Sequence, residues 1–147
     1  MYTIYKITSN PVVDFAAEEL KKYLRMMMPR GGEIAISYKP DATDGFRLGL
    51  MADFGLDTSE AEDIELDDIL HIDTDTRGGI IAGDNPRSVL LAVYRYLTIN
   101  GCRWLYPGVD GEFIPVPKWI YSCGNRALLM SMPKHIRGTC HCRQPAK

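Results

Sequence analysis

Three groups of side chains in this sequence have types and spacings that suggest chemistry: closely spaced carboxylates, cysteines with histidines near one end, and an arginine among aromatics. Asp73 and Asp75 stand two residues apart, so on a strand they share a face at about 6.6 Å, a separation also used by carboxylate pairs in glycoside hydrolysis. They fall at a hairpin end beside Arg77, where a solvated turn is the simpler reading, and the same holds for Asp110 with Glu112. Seven acids fall in the twelve residues from Asp57 to Asp68, without the ordered spacing, glycine and closing glutamate of a calcium loop. Cys123, His135, Cys140, His141 and Cys142 are donors suited to zinc, but Cys140-His141-Cys142 is contiguous and no paired C-x-x-C exists. Metal binding by Cys123, His135, Cys140 and Cys142 is therefore an alternative, and no cofactor is expected. The run Gly79-Ile-Ile-Ala-Gly83 lacks the spacing of a dinucleotide or phosphate loop, and Asp84 already sets a negative charge where phosphate would sit. Arg103, Trp104 and Tyr106 lie in Gly101-Cys-Arg-Trp-Leu-Tyr-Pro107, the residue types from which interfaces and sugar platforms are made. Alternatively, Trp104 plugs the bottom of the chain's own core.

The elements that must position these residues follow from the pattern around them. Tyr2 to Ile7 opens as a strand that ends at Thr8-Ser9-Asn10-Pro11. Asn10 caps a helix with Pro11 at its first position, and Val13, Ala16, Ala17, Leu20, Leu24 and Met27 recur at helical spacing until Pro29. Glu33 to Tyr38 and Phe46 to Met51 read as further strands, and Ile69 to Thr74 pairs with Gly79 to Gly83 as a hairpin. Asn85 caps a second helix with Pro86 at its first position, running to about Ile99 and ending at Asn100-Gly101. The expected fold is an α/β (α+β) sandwich with two helices on one face of a mixed sheet, largely antiparallel because the later strand connections are short. In the second helix, Leu90, Val93, Tyr94 and Leu97 form an apolar stripe. Beyond it lie Val89, Leu91, Ala92 and Tyr96, and only Arg87 and Arg95 are charged. A helix apolar nearly all round needs a cover on both sides, so Val89 and Tyr96 join Arg103, Trp104 and Tyr106 as an expected docking surface.

The chain has 147 residues, 46% of them apolar and 24% charged, which fits one globular domain rather than disorder or a fibrous protein. Its net charge of −2 gives no positive field for nucleic acid or anionic lipid, so neither is an expected partner. Residues 118–147 hold six of the 17 basic groups and no acid, whereas residues 1–117 hold the other 11 and all 19 acids, a net of −8. Body and basic tail are thus distinct sequences. Lys6 interrupts the opening before any signal-peptide apolar block, and no stretch has the roughly 20 apolar residues of a membrane span, so a cytoplasmic location is expected.

Taken together, Pro11 to Leu24, Gly79 to Leu97 (with its Gly-Asp-Asn-Pro-Arg-Ser sequence) and Gly101 to Pro107 resemble the N-terminal domain of alpha-glucuronidase-type glycoside hydrolases and related uncharacterised bacterial proteins. The layout is similar to the second domain of beta-hexosaminidases. The resemblance covers residues 1–117 and implies a non-catalytic accessory α/β domain packed against a catalytic barrel, which carries the acid and base carboxylates. It carries over no catalytic residue. A barrel needs roughly 250 residues, so residues 118–147 read as a truncated linker and first strand, or as sequence out of frame. His135 to Cys140 is similar to the segment that opens such barrels. The partner implied is that barrel or a second subunit, met through the second helix and residues 101–107; carbohydrate is the alternative partner.

Overall fold

The computed structural model describes residues 2–59, 63, 67–75, 78–116 and 140–141, the last two and Asp75 by backbone alone. Strand β1 (Tyr2–Lys6) leads into helix α1 (Pro11–Met27), then β2 (Ile34–Tyr38) and β3 (Phe46–Leu50). A single 3-10 turn, Met51–Phe54, follows β3; β4 (Ile69–Asp75) and β5 (Gly78–Gly83) precede helix α2 (Pro86–Ile99). Two-residue strands β6 (Arg103–Trp104) and β7 (Glu112–Phe113) form a separate hairpin, and β8 is Cys140–His141.

Both helices start where the Asn-Pro pairs predict. The Asn10 side chain accepts from Val12 N at 2.8 Å and the Asn85 side chain from Ser88 N at 3.0 Å, each taking up a backbone N–H that the helix itself cannot satisfy. The main sheet has the order β2-β1-β3-β5-β4-β8. Ile4, Ile34, Phe46, Leu48, Ile72 and Ile81 point to one face, where they pack with Val13, Leu20, Val93 and Leu97 of the two helices. On the other face Met51, Ile69 and Ala82 form a smaller cluster beneath the 3-10 turn.

The mixed sheet and the two helices on one face are as the sequence predicts; the strand directions are not. The pairs β1–β2, β1–β3 and β3–β5 are parallel, and only β4 runs antiparallel, against β5 and β8. A short connection favours antiparallel pairing only where consecutive strands are neighbours. Here β1 lies between β2 and β3, and residues 39–45, which turn at Lys39–Ala42, carry the chain back past β1 to start β3 in the same direction.

The start of α2 is pressed onto β5. A Cβ on Gly83 would lie 2.4 Å from both the Ser88 carbonyl carbon and Val89 N, so only glycine allows this approach. Asp68, almost fully buried, holds the same end: it accepts from Ser88 Oγ at 2.7 Å and from Arg87 Nε at 3.0 Å. Burial opposes its ionisation, but the bonds from Ser88 and Arg87 and the Arg87 charge outweigh it and hold the carboxyl below the ordinary aspartate range.

Replacing Gly83 by Val should destabilise the protein by about 3 kcal/mol in urea unfolding, because backbone rather than a movable side chain blocks the new atoms. The lowered Asp68 pKa makes its stabilisation complete above the ordinary aspartate range and progressively lost as pH falls through the depressed folded value. Acid titration of stability should therefore show a loss on that limb that Asp68→Asn flattens.

Candidate functional site

The segment after α2 carries the residues singled out by type. Arg103, exposed, donates through Nη1 to Thr98 O at 2.6 Å, in the last turn of α2, and to Cys102 O at 2.7 Å, just beyond the helix, where a cation also meets the negative end of the helix dipole. Its guanidinium is engaged with the chain's own backbone. Trp104, half-buried, faces the opposite way and meets Tyr23 of α1 and Tyr94 of α2 edge-on, with ring centroids 5.2 and 5.0 Å apart.

Tyr23 is the hub of this junction, and its burial leaves the hydroxyl only protein partners. The hydroxyl donates to Glu112 Oε1 at 2.9 Å and accepts from Trp104 Nε1 at 3.1 Å and Lys22 Nζ at 3.3 Å, which uses its one proton and two lone pairs. Glu112 is the cross-strand partner of Trp104, so one hydroxyl ties both strands of the hairpin to α1. Tyr94 donates to Glu19 Oε2 at 2.5 Å. Burial, with the Glu19 bond and charge, raises the Tyr94 phenol well above its usual value, so it is a neutral donor at physiological pH and not a base or nucleophile. Burial pulls the Lys22 ammonium down, but the Tyr23 bond and the Glu19 and Glu112 charges outweigh it and keep lysine charged.

The hairpin's other side is apolar and open. Leu105 is 74% exposed, Tyr106 57%, Val109 82% and Phe113 59%. The loop is closed by Leu105 N donating to Gly111 O at 2.9 Å and Tyr106 Oη donating to Asp110 O at 2.9 Å. A Cβ on Gly111 would fall 2.1 Å from Tyr106 O, so the loop requires glycine there.

Of the expected docking residues, Val89 and Tyr96 are not surface: both are buried in the chain's own core, Tyr96 against Phe46 with centroids 5.7 Å apart. The second cover that α2 needs comes from α1 and Trp104 through Tyr94 and Leu90, leaving Leu91 as the one exposed large apolar side chain of that helix. Trp104 and Tyr106 face different surroundings, one ring packed on two tyrosines and the other open, so they do not form one platform. The sequence pattern singles out neither Tyr23 and Glu19 nor Val109 and Phe113, whereas Leu105 falls within the 101–107 segment. Tyr23, three residues after Leu20, continues the buried α1 stripe, and that spacing could have found it.

Cys102, also buried, lies with Sγ 3.7 Å from Met27 Sδ; burial pushes its thiol up to about 11, the reverse of activation. Cys123, His135 and Cys142 lie outside the described residues, and Cys140 is described only as part of β8. Asp73 is on β4 within the hairpin, with Asp75 at the end of that strand. Among the described residues no group of three or more His, Cys, Asp or Glu side chains is placed to hold a metal, and no helix is long and apolar enough to cross a membrane. No family model and no curated protein matches the chain.

Tyr23→Phe should cost about 1 to 3 kcal/mol in chemical denaturation, because Glu112 and the Trp104 N–H lose the group that pairs them. The same substitution should change Trp fluorescence of the folded protein.

Proposed function

We propose that this chain acts as a non-catalytic accessory domain of a carbohydrate-active glycoside hydrolase, docking against a catalytic barrel through the outer side of the β6–β7 hairpin. The observation that supports this is the exposure of Leu105, Tyr106, Val109 and Phe113 on a hairpin whose inner side is fixed to both helices. Apolar side chains gathered on an anchored loop suit an interface core, since the loop is already ordered when the partner arrives. The surface is thus carried by the hairpin rather than by α2. Around the tyrosine junction, the hydrogen-bonding capacity of Tyr23 is spent within the protein, which fits a binding role better than a reaction.

The test is calorimetric titration of the full chain into the barrel domain of an alpha-glucuronidase-type hydrolase prepared without its own N-terminal domain. Binding at micromolar or tighter affinity, reduced at least tenfold by combining Leu105→Asp with Phe113→Asp, is the expected result. Absence of binding, or glycoside turnover by this chain alone, overturns the proposal.

A further inference from the structure

Strand β2 forms one edge of the sheet, and among the described residues its only strand neighbour is β1. Glu33 O accepts from Tyr2 N at 3.2 Å and Lys39 N donates to Lys6 O at 3.1 Å, so the odd-numbered positions along this edge turn their backbone groups toward β1. Backbone groups alternate along a strand, so the N–H and C=O of Ile34, Ile36 and Tyr38 point outward, away from the sheet. Such an edge is a template for another strand.

The sequence of this edge is complementary to itself. Antiparallel pairing of two copies about Ile36 sets Ile36 against the partner's Ile36 and Ile34 against the partner's Tyr38, all at outward-facing positions. Both N–H···O bonds form at each of these pairs. The same register sets Glu33 opposite the partner's Lys39, twice over by symmetry, so unlike charges meet at both ends and no like charges oppose. Tyr38 is 55% exposed, a large ring more than half open at this edge. A groove of about 360 Å³, lined by Lys21, Arg25, Met28 and Ile34, opens between α1 and this edge. Directly opposing residues of an antiparallel pair share a face, so the partner's Tyr38 arrives on the helix side beside Ile34, at the mouth of that groove, where exposed Arg25 offers a cation for its ring.

We infer that the chain self-associates edge to edge through β2, joining two sheets into one with the partner's Tyr38 seated in the α1–β2 groove. The contact is small, so the dimer is concentration-dependent rather than permanent. This inference is independent of the hairpin surface.

Sedimentation velocity of the full chain over a concentration series tests it. Mass should rise from 16.5 kDa toward twice that value. Glu33→Lys or Lys39→Glu alone should raise the dissociation constant about tenfold, and the double charge swap should restore it to within about twofold. Ile36→Pro removes the central outward N–H but no bond to β1, and should abolish the dimer. If that variant does not fold, the charge swap decides. A chain that stays monomeric throughout overturns the inference. So does a dimer indifferent to both charge reversals, and if that dimer is lost on Leu105→Asp the hairpin is the contact instead.

Discussion

The architecture turns on how closely α2 lies against the sheet, and that distance is set at one point. With no side chain on Gly83, the first turn of α2 touches the end of β5, while Asp68 and the Asn85 cap fix its direction. From that start, Val89, Ala92, Val93, Tyr96 and Leu97 descend into the core and leave Tyr94 turned sideways to α1. A helix held farther out would lose the contact of Tyr96 with Phe46 and the reach of Tyr94 to Glu19. The approach is costly to alter because protein interiors are already close-packed.

The tyrosine junction extends this order to the end of the body. Two helices packed side by side form a furrow, and Trp104 fills its lower end with an apolar ring and one N–H that must find an acceptor. The Tyr23 hydroxyl supplies it and at the same time holds Glu112, so a hairpin of only two residues per strand is kept in place by side chains more than by its ladder. That is how a short, glycine-rich segment comes to present apolar side chains in a fixed arrangement.

Much of this was legible in the sequence where the signal is local. Asn10-Pro11 and Asn85-Pro86 placed both helix starts, because a capping side chain followed by a fixed φ is a property of neighbouring residues. The β4–β5 pairing was legible for the same reason. Strand direction was not: the insertion of β1 between β2 and β3 rests on pairings distant in sequence, and no residue in β1 records its neighbours. The apolar surface of α2 signals a helix with two covers, but the second cover is α1, so Val89 and Tyr96 lie inward rather than at a surface. For Trp104 the sequence left core plug and platform open, since the deciding partner, Tyr23, lies 81 positions away. Arg103 looked like an interface residue because an exposed arginine has the same composition whether it faces a partner or the last carbonyls of its own helix.

The place of β1 has a bearing on how the chain is made. Strand β1 is synthesised before β2 and β3 yet lies between them, bonded on one side to β2 and on the other to β3. Ile4 cannot meet Phe46 until the intervening helix and strand have emerged, so the nascent chain carries β1 with both edges incompletely paired through that interval. Helix α1, whose buried stripe packs with Ile4, is the next element to emerge and the first that can cover one face of that segment. Loop closure over this span, rather than helix formation, is the step expected to limit the rate of folding.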